Sequence, residues 1–209
     1  MLKNKKAIIY DLDGTIIDTI KLNEDAWIYA ANKLNLKINK KFLDYQRGIG
    51  NLEAALYVLG ENSDKLDEFI NIKKEYFYSH LHKINIFKDF LEAKGKLEKN
   101  YNLAICTSSS SRLVNLLKKQ LSIFNDFKVF VSRDDTFLGK PNPEPLLKTI
   151  SFLNLEIKDC IYVGDAYTDY LACKQINLDF VYYNLDEAYT EMPKEILRIK
   201  NHNDLLKYL

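Results

Sequence analysis

At 209 residues, 47% of them hydrophobic, the chain can bury a sizeable core as one domain or as one domain with an insertion, which excludes a small stapled scaffold. Thirty Lys and Arg stand against 29 Asp and Glu, and a net charge of +1 gives no long-range attraction for nucleic acid or an anionic membrane. Cys106, Cys160 and Cys173 lie in apolar segments without CxxC spacing and read as reduced, buried thiols. The apolar stretch near the N-terminus is too short for a signal peptide or membrane span, and the expectation is a cytoplasmic protein, monomer or homodimer.

The first apolar run, residues 7–10, breaks at once into Asp11-Leu12-Asp13-Gly14-Thr15. Side chains two apart on a strand point the same way, so Asp11 and Asp13 share one small volume where Gly14 lets the backbone turn. Two crowded carboxylates need a cation, and oxygen ligands suit a hard ion such as Mg²⁺. Taken alone, the tetrapeptide reads equally well as a solvated strand end and turn. An EF-hand loop fits worse, because its sixth-position Gly and twelfth-position Glu are missing, Leu22 standing at the twelfth.

From there to the next β-rich run, at 103–106, lies a gap with no convincing strand but with helical periodicity over 22–34, 52–59 and 64–82. An ordinary crossover is far shorter. The spacing therefore predicts an inserted α-helical cap over residues 19–84 and an α/β core over 1–18 and 85–209. An amphipathic helix within 85–100 leads back to the sheet. Further runs at 128–131, 160–163 and 180–183 alternate with helical patterns, which predicts a parallel sheet. The Tyr-rich region 186–209 either closes a sheet edge or supports a dimer.

In such sheets functional groups gather beyond the carboxyl ends of the strands. The first run ends in Asp11, the second in Thr107-Ser108, and a later one in Gly164-Asp165, with Asp169 four residues on. Pro141, Pro143 and Pro145 cluster beside Gly139-Lys140. Out of context Lys140 would be a solvated loop lysine and Asp169 a first-turn acid complementing a helix dipole. Ser109 and Ser111 read as helix-capping residues, with Ser110 open. His80, His82 and His202 lack partners at ligand spacing and read as surface histidines. Trp27 reads as cap core.

Together, Asp11-Leu12-Asp13-Gly14-Thr15, Ile105-Cys106-Thr107-Ser108, Gly139-Lys140-Pro141 and Val163-Gly164-Asp165-Ala166-Tyr167-Thr168-Asp169 resemble, in order and spacing, the four motifs of the haloacid dehalogenase (HAD) superfamily. The helical insertion after the first motif resembles the cap of its β-phosphoglucomutase and phosphoglycolate phosphatase branch. The resemblance implies a Rossmann-like parallel sheet core with a cap, and Mg²⁺-dependent hydrolysis of a small phosphorylated metabolite. It makes Asp11 the nucleophile that becomes an aspartyl-phosphate and Asp13 the acid and base, a group that dehalogenases of the superfamily lack. It implies that Mg²⁺ is held by Asp11, the Asp13 carbonyl and Asp165, with Asp169 a direct ligand or a support behind one. Lys140 would keep Asp11 ionised and balance the phosphate, Thr107 would donate a hydroxyl, and backbone N–H groups of the loop after Asp11, where Gly14 is a substrate-binding residue, and of Ser108 would complete a phosphate cradle. In the cap, Arg47 is the candidate for a second anionic group of the substrate.

β-Phosphoglucomutases carry a histidine twelve residues beyond the nucleophile, where this chain has Asn23, and a cap arginine near the position of Asn51. They also carry a lysine where this chain has Ser110. Those departures favour hydrolysis over a phosphomutase. The remaining alternatives are a catalytically retired scaffold and a receiver-like phospho-acceptor domain, the latter leaving the insertion and Asp13 unexplained.

Overall fold

The computed structural model describes residues 2, 4–46, 49–60, 62–183 and 192–209. The chain divides into two compact units, Met1–Ile17 with Ile86–Leu209, and Asp18–Asn85. β1 (Ala7–Tyr10) opens the first unit. β2 (Ile17–Asp18) pairs with β3 (Asn85–Ile86) in a two-stranded ribbon that contains both boundaries between the units.

The second unit is helical: α1 (Ile20–Lys33), α2 (Lys40–Tyr45), α3 (Asn51–Leu59) and α4 (Leu66–Ser79). Its core gathers on Trp27, which meets Phe42 edge-on at 5.7 Å and Phe69 at 5.5 Å, while its indole N–H donates to Gln46 Oε1. Trp27 is thus core, as its sequence context suggested. The six-residue α2, capped by the Asn39 side chain, is too short to show a helical period in the sequence.

Returning to the first unit, α5 (Lys88–Leu97) precedes β4 (Asn102–Cys106), α6 (Ser111–Gln120), β5 (Val129–Val131) and α7 (Glu144–Phe152). Then come β6 (Cys160–Gly164), α8 (Tyr167–Gln175), β7 (Asp179–Tyr183) and β8 (Leu197–Ile199). The sheet order is β5-β4-β1-β6-β7-β8 and every pairing is parallel. β1 and β6 are buried at every position, which is why they read as unbroken apolar runs rather than alternating ones. Asn154 and Asn177, at φ 54° and 53°, follow α7 and α8 in the left-handed conformation that asparagine tolerates, and so turn the chain toward the next strand.

From β1 the chain builds outward through β4 and β5, then returns to the other side of β1 with β6. The topological switch therefore falls between β1 and β6, where α/β sheets open a crevice beyond the strand ends. Register brings Tyr10 level with Ile105 and Val163, so the residues that follow these three strands emerge side by side. One sheet face packs Ile9, Val131 and Tyr162 against Leu146 and Ile150 of α7. All three cysteines are buried and free.

On the opposite face the structure corrects a sequence expectation. His202 is not a surface histidine but fully buried, stacked on Tyr183 at 4.0 Å and edge-on to Phe90 at 5.3 Å. These rings come from three distant segments, so no local pattern marks the burial. Within region 186–209, the described residues 197–199 close the sheet edge as β8; residues 186–191 lie outside the described ones. No helix among the described residues is long and apolar enough to cross a membrane.

Burial lowers the affinity of His202 for a proton, to a pKa of about 4. The unfolded chain, with an ordinary histidine near 6.5, binds that proton first, so stability is full above about pH 6.5 and is lost as pH falls toward 4. Replacing His202 by Gln, which does not titrate, should flatten that limb of a urea-denaturation pH series by on the order of 3 kcal/mol.

Candidate active site

The strand ends meet around Asp11. Asp11 follows β1 on the face shared by Ala7 and Ile9, is 7% exposed, and donates its amide to Val163 O at 2.8 Å. The chain then folds into a tight loop in which Leu12 O accepts from the amides of Ile16 and Ile17. Gly14 sits at φ 82°, and a Cβ there would lie 2.3 Å from Asp165 Oδ2. Only glycine permits both the turn and that approach. Its amide donates to Ile17 O at 2.8 Å, so Gly14 contributes space for Asp165 rather than the N–H expected for a phosphate cradle. The neighbouring Thr15 donates its hydroxyl to Asp165 Oδ1 at 2.7 Å.

Beyond β4, Thr107 is buried and Ser108 exposed. Thr107 Oγ1 accepts from the Ser109 amide at 3.0 Å and lies 3.4 Å from Asp13 Oδ2, to which Ser109 Oγ donates at 2.5 Å. The Asp13 carboxylate is therefore held by two hydroxyls from the β4 side. Ser110 caps α6 by accepting from the Leu113 amide, and Ser111 bonds to Ser132 and Asp134. The capping role thus falls to Ser110, not to Ser109 or Ser111, because the chain needs two residues after Thr107 before its first helical turn.

Lys140 reaches the same crevice from the Pro-rich loop before α7, its side chain 3% exposed. Its ammonium has three protons and three close acceptors: Asp11 Oδ1 at 2.8 Å, Asp169 Oδ1 at 2.5 Å and the Tyr162 hydroxyl oxygen at 2.8 Å. Tyr162 in turn donates to Cys106 O at 2.9 Å. Asp169, fully buried on the first turn of α8, also accepts from the Ala166 amide through Oδ2 at 3.1 Å. It is thereby occupied with protein donors on both oxygens.

Asp11, Asp165 and Asp169 each place a carboxylate oxygen within 4.8 Å of the others. Burial pushes Asp11 up to about 7; Lys140 pulls it down, and Asp169 and Asp13 add to the rise. Burial, then the charges of Asp11 and Asp169, raises Asp165 well above the carboxylate range. Burial works against the charge on Lys140, but Asp11 and Asp169 outweigh it and hold the ammonium well above its ordinary value. Three carboxylates facing one ammonium leave two negative charges uncompensated when all are ionised. That deficit and an all-oxygen donor set fit one hard divalent cation.

A family model described as haloacid dehalogenase-like hydrolase matches residues 8–183. The chain belongs to the haloacid dehalogenase-like hydrolases. Among curated members, a β-phosphoglucomutase of Bacillus subtilis is 29% identical over 184 residues, covering 83% of this chain and 80% of that protein. A phosphoglycolate phosphatase of Colwellia psychrerythraea is 27% identical over 195 residues, 86% of this chain and 84% of that one. The solved structure of a hydrolase of the haloacid dehalogenase-like family from Streptococcus pneumoniae superposes with a TM-score of 0.84 at 18% identity, over 98% of both chains, which shows the shared fold.

In this haloacid dehalogenase-like hydrolase the structure brings Asp11, Asp13, Gly14, Thr107, Lys140, Asp165 and Asp169 to one crevice within the first unit. Arg47 lies outside the described residues. Sequence inspection missed Thr15, Ser109 and Tyr162. Thr15 and Ser109 stand inside motifs already marked, whereas Tyr162 hides in an apolar strand, and the two-residue alternation toward Gly164 was its one signal.

A divalent cation held by Asp11 would have to displace the proton that this carboxyl carries below about pH 7, so its binding would weaken as pH falls through that value. Saturating Mg²⁺ should accordingly raise the melting temperature more at pH 8 than at pH 6 in a thermal-shift series. Gly14→Ala, which drives a methyl group into Asp165, should lose that Mg²⁺ response at both pH values.

Proposed function

We propose that this chain is a Mg²⁺-dependent phosphatase that hydrolyses a small phosphate monoester, as phosphoglycolate phosphatases do, through an aspartyl-phosphate on Asp11. The observation that carries the reading is the division of labour around the crevice. Asp11 is paired to Lys140, while Asp13 is held apart from that pair by Ser109 and Thr107. One carboxylate thus suits a nucleophile and the other, hydrogen-bonded by two hydroxyls, suits proton transfer.

Asp11, the Asp13 carbonyl and Asp165 would hold Mg²⁺, with Asp169 anchoring Lys140 behind them. When bound, the ion supplies positive charge against the phosphoryl oxygens. A carboxylate oxygen of Asp11 attacks phosphorus, an Asp–O–P bond forms, and the ester P–O bond breaks. Asp13 gives its proton to the departing alkoxide. Water then attacks the aspartyl-phosphate, Asp13 takes one of its protons, and inorganic phosphate leaves with Asp11 restored. Lys140 balances the charge on Asp11 and on the transferring group, and Thr107 offers its hydroxyl to a phosphoryl oxygen. The exposed Ser108 places its amide at the same strand end.

The competing phosphomutase reading has the name of the Bacillus subtilis relative behind it. Against it, Ser110 occupies the position of the lysine that β-phosphoglucomutases carry, and its hydroxyl caps α6. A retired scaffold is disfavoured by a crevice in which every catalytic position is filled.

Phosphate release measured over a panel of sugar phosphates, phosphoglycolate and nucleoside monophosphates should be Mg²⁺-dependent in the wild type. Asp11→Asn should lower it by roughly 10³-fold or more. Asp13→Asn should cost about 10²- to 10⁴-fold in kcat, with the least loss on substrates whose leaving group needs no proton. Isomerisation of a sugar phosphate without net phosphate release would overturn hydrolysis in favour of the mutase, and no turnover of any kind would favour the scaffold.

A further inference from the structure

The buried His202 does more than fill space. It begins a short 3-10 segment, His202–Lys207, that follows β8. Its Nε2 lies 2.8 Å from the carbonyl oxygen of Thr15. A carbonyl only accepts, so Nε2 carries the proton and donates. Nδ1 is buried with no partner among the described residues, so the Thr15 contact is the side chain's one hydrogen bond there.

The ring is fixed from every side. It stacks on Tyr183 and meets Phe90 edge-on. Its backbone amide donates to Asp89 Oδ2 at 2.9 Å, and that carboxylate also accepts from the Tyr183 hydroxyl at 3.1 Å. A phenylalanine would pack in this aromatic nest without leaving a ring nitrogen unpartnered. What only the histidine supplies is the donor to Thr15.

Thr15 is itself fully buried, and while its carbonyl takes the imidazole proton its hydroxyl donates to Asp165 Oδ1. Gly14, one residue earlier, leaves no slack against the same carboxylate. A hydrogen-bonded line therefore runs from His202 through Thr15 to Asp165. We infer that His202 is a positioning residue that fixes the loop after Asp11 from behind and, through Thr15, sets the Asp165 carboxylate for the divalent cation. The inference rests on the reading of Asp165 as a ligand in the proposed phosphatase site.

The test is a Mn²⁺ titration of the full-length protein followed by electron paramagnetic resonance, with wild type, His202→Phe and His202→Gln side by side. Phenylalanine keeps the ring and removes the donor, whereas the glutamine amide keeps a donor near the Nε2 position. The expected result is a half-saturating Mn²⁺ concentration raised roughly 10-fold in His202→Phe and restored to within about twofold of wild type in His202→Gln. If His202→Phe binds as wild type does, or if His202→Gln is as weak as His202→Phe, the inference is overturned. Should the phenylalanine variant not fold, His202→Asn replaces it, since the shorter amide does not reach the Thr15 carbonyl. Phosphate release by the wild type separates this result from the activity. Turnover with identical titrations sinks the positioning role alone, whereas the expected titrations without turnover sink the phosphatase and leave the positioning role standing. A wild type that takes no Mn²⁺ overturns the inference outright.

Discussion

A single ammonium group buried among carboxylates is the constraint around which this core is arranged. Placing Lys140 where water barely reaches is costly unless its charge is answered and each proton finds an acceptor. Asp11, Asp169 and Tyr162 meet that demand at 2.5 to 2.8 Å, and they come from just beyond β1, from the first turn of α8 and from the middle of β6. β1 and β6 must therefore lie in register with one another, as their pairing of Tyr10 with Val163 ensures. Glycine at 14 and 164 is part of the same requirement. A Cβ at either position would strike the carboxylate of Asp165 or Asp169, at 2.3 and 2.4 Å respectively.

Charge imbalance then makes the site receptive. With one cation against three carboxylates, charge imbalance adds to burial in making the crevice hold protons that ordinary aspartates would have released, and burial first, then Asp169 and Asp13 against the pull of Lys140, bring Asp11 to about 7. A dianionic phosphate arriving alone would worsen the imbalance, whereas a divalent ion arriving with it would relieve it. In the proposed phosphatase the electrostatics of the crevice would thus order the ligands, cation and phosphate each favouring the other's binding.

Much of this was legible in the sequence because strand ends announce themselves. Asp11, Thr107 and Asp165 each follow an apolar run closely, and a sheet covered on both faces cannot hide its strands. What stayed out of sight has physical reasons. Four serines in a row carry no mark telling which one caps a helix and which reaches Asp13; the turn after Thr107 decides it. Tyr162 reads as apolar filling because its ring is, while its hydroxyl accepts from Lys140. β8 is three residues long and partly exposed, too little for a periodic signal. His202 is buried by rings that stand far from it in sequence, which no window on the chain can show.

The family match ends at residue 183, yet the chain continues into β8 and the segment that seats His202 behind the Thr15 carbonyl. The portion matched by the family model and the portion that works as a physical object are therefore of different lengths. A chain cut where the family signature stops would retain every motif aspartate, yet it would lose the strand that seals the sheet and uncover the aromatic nest of Tyr10, Phe90 and Tyr183 to water.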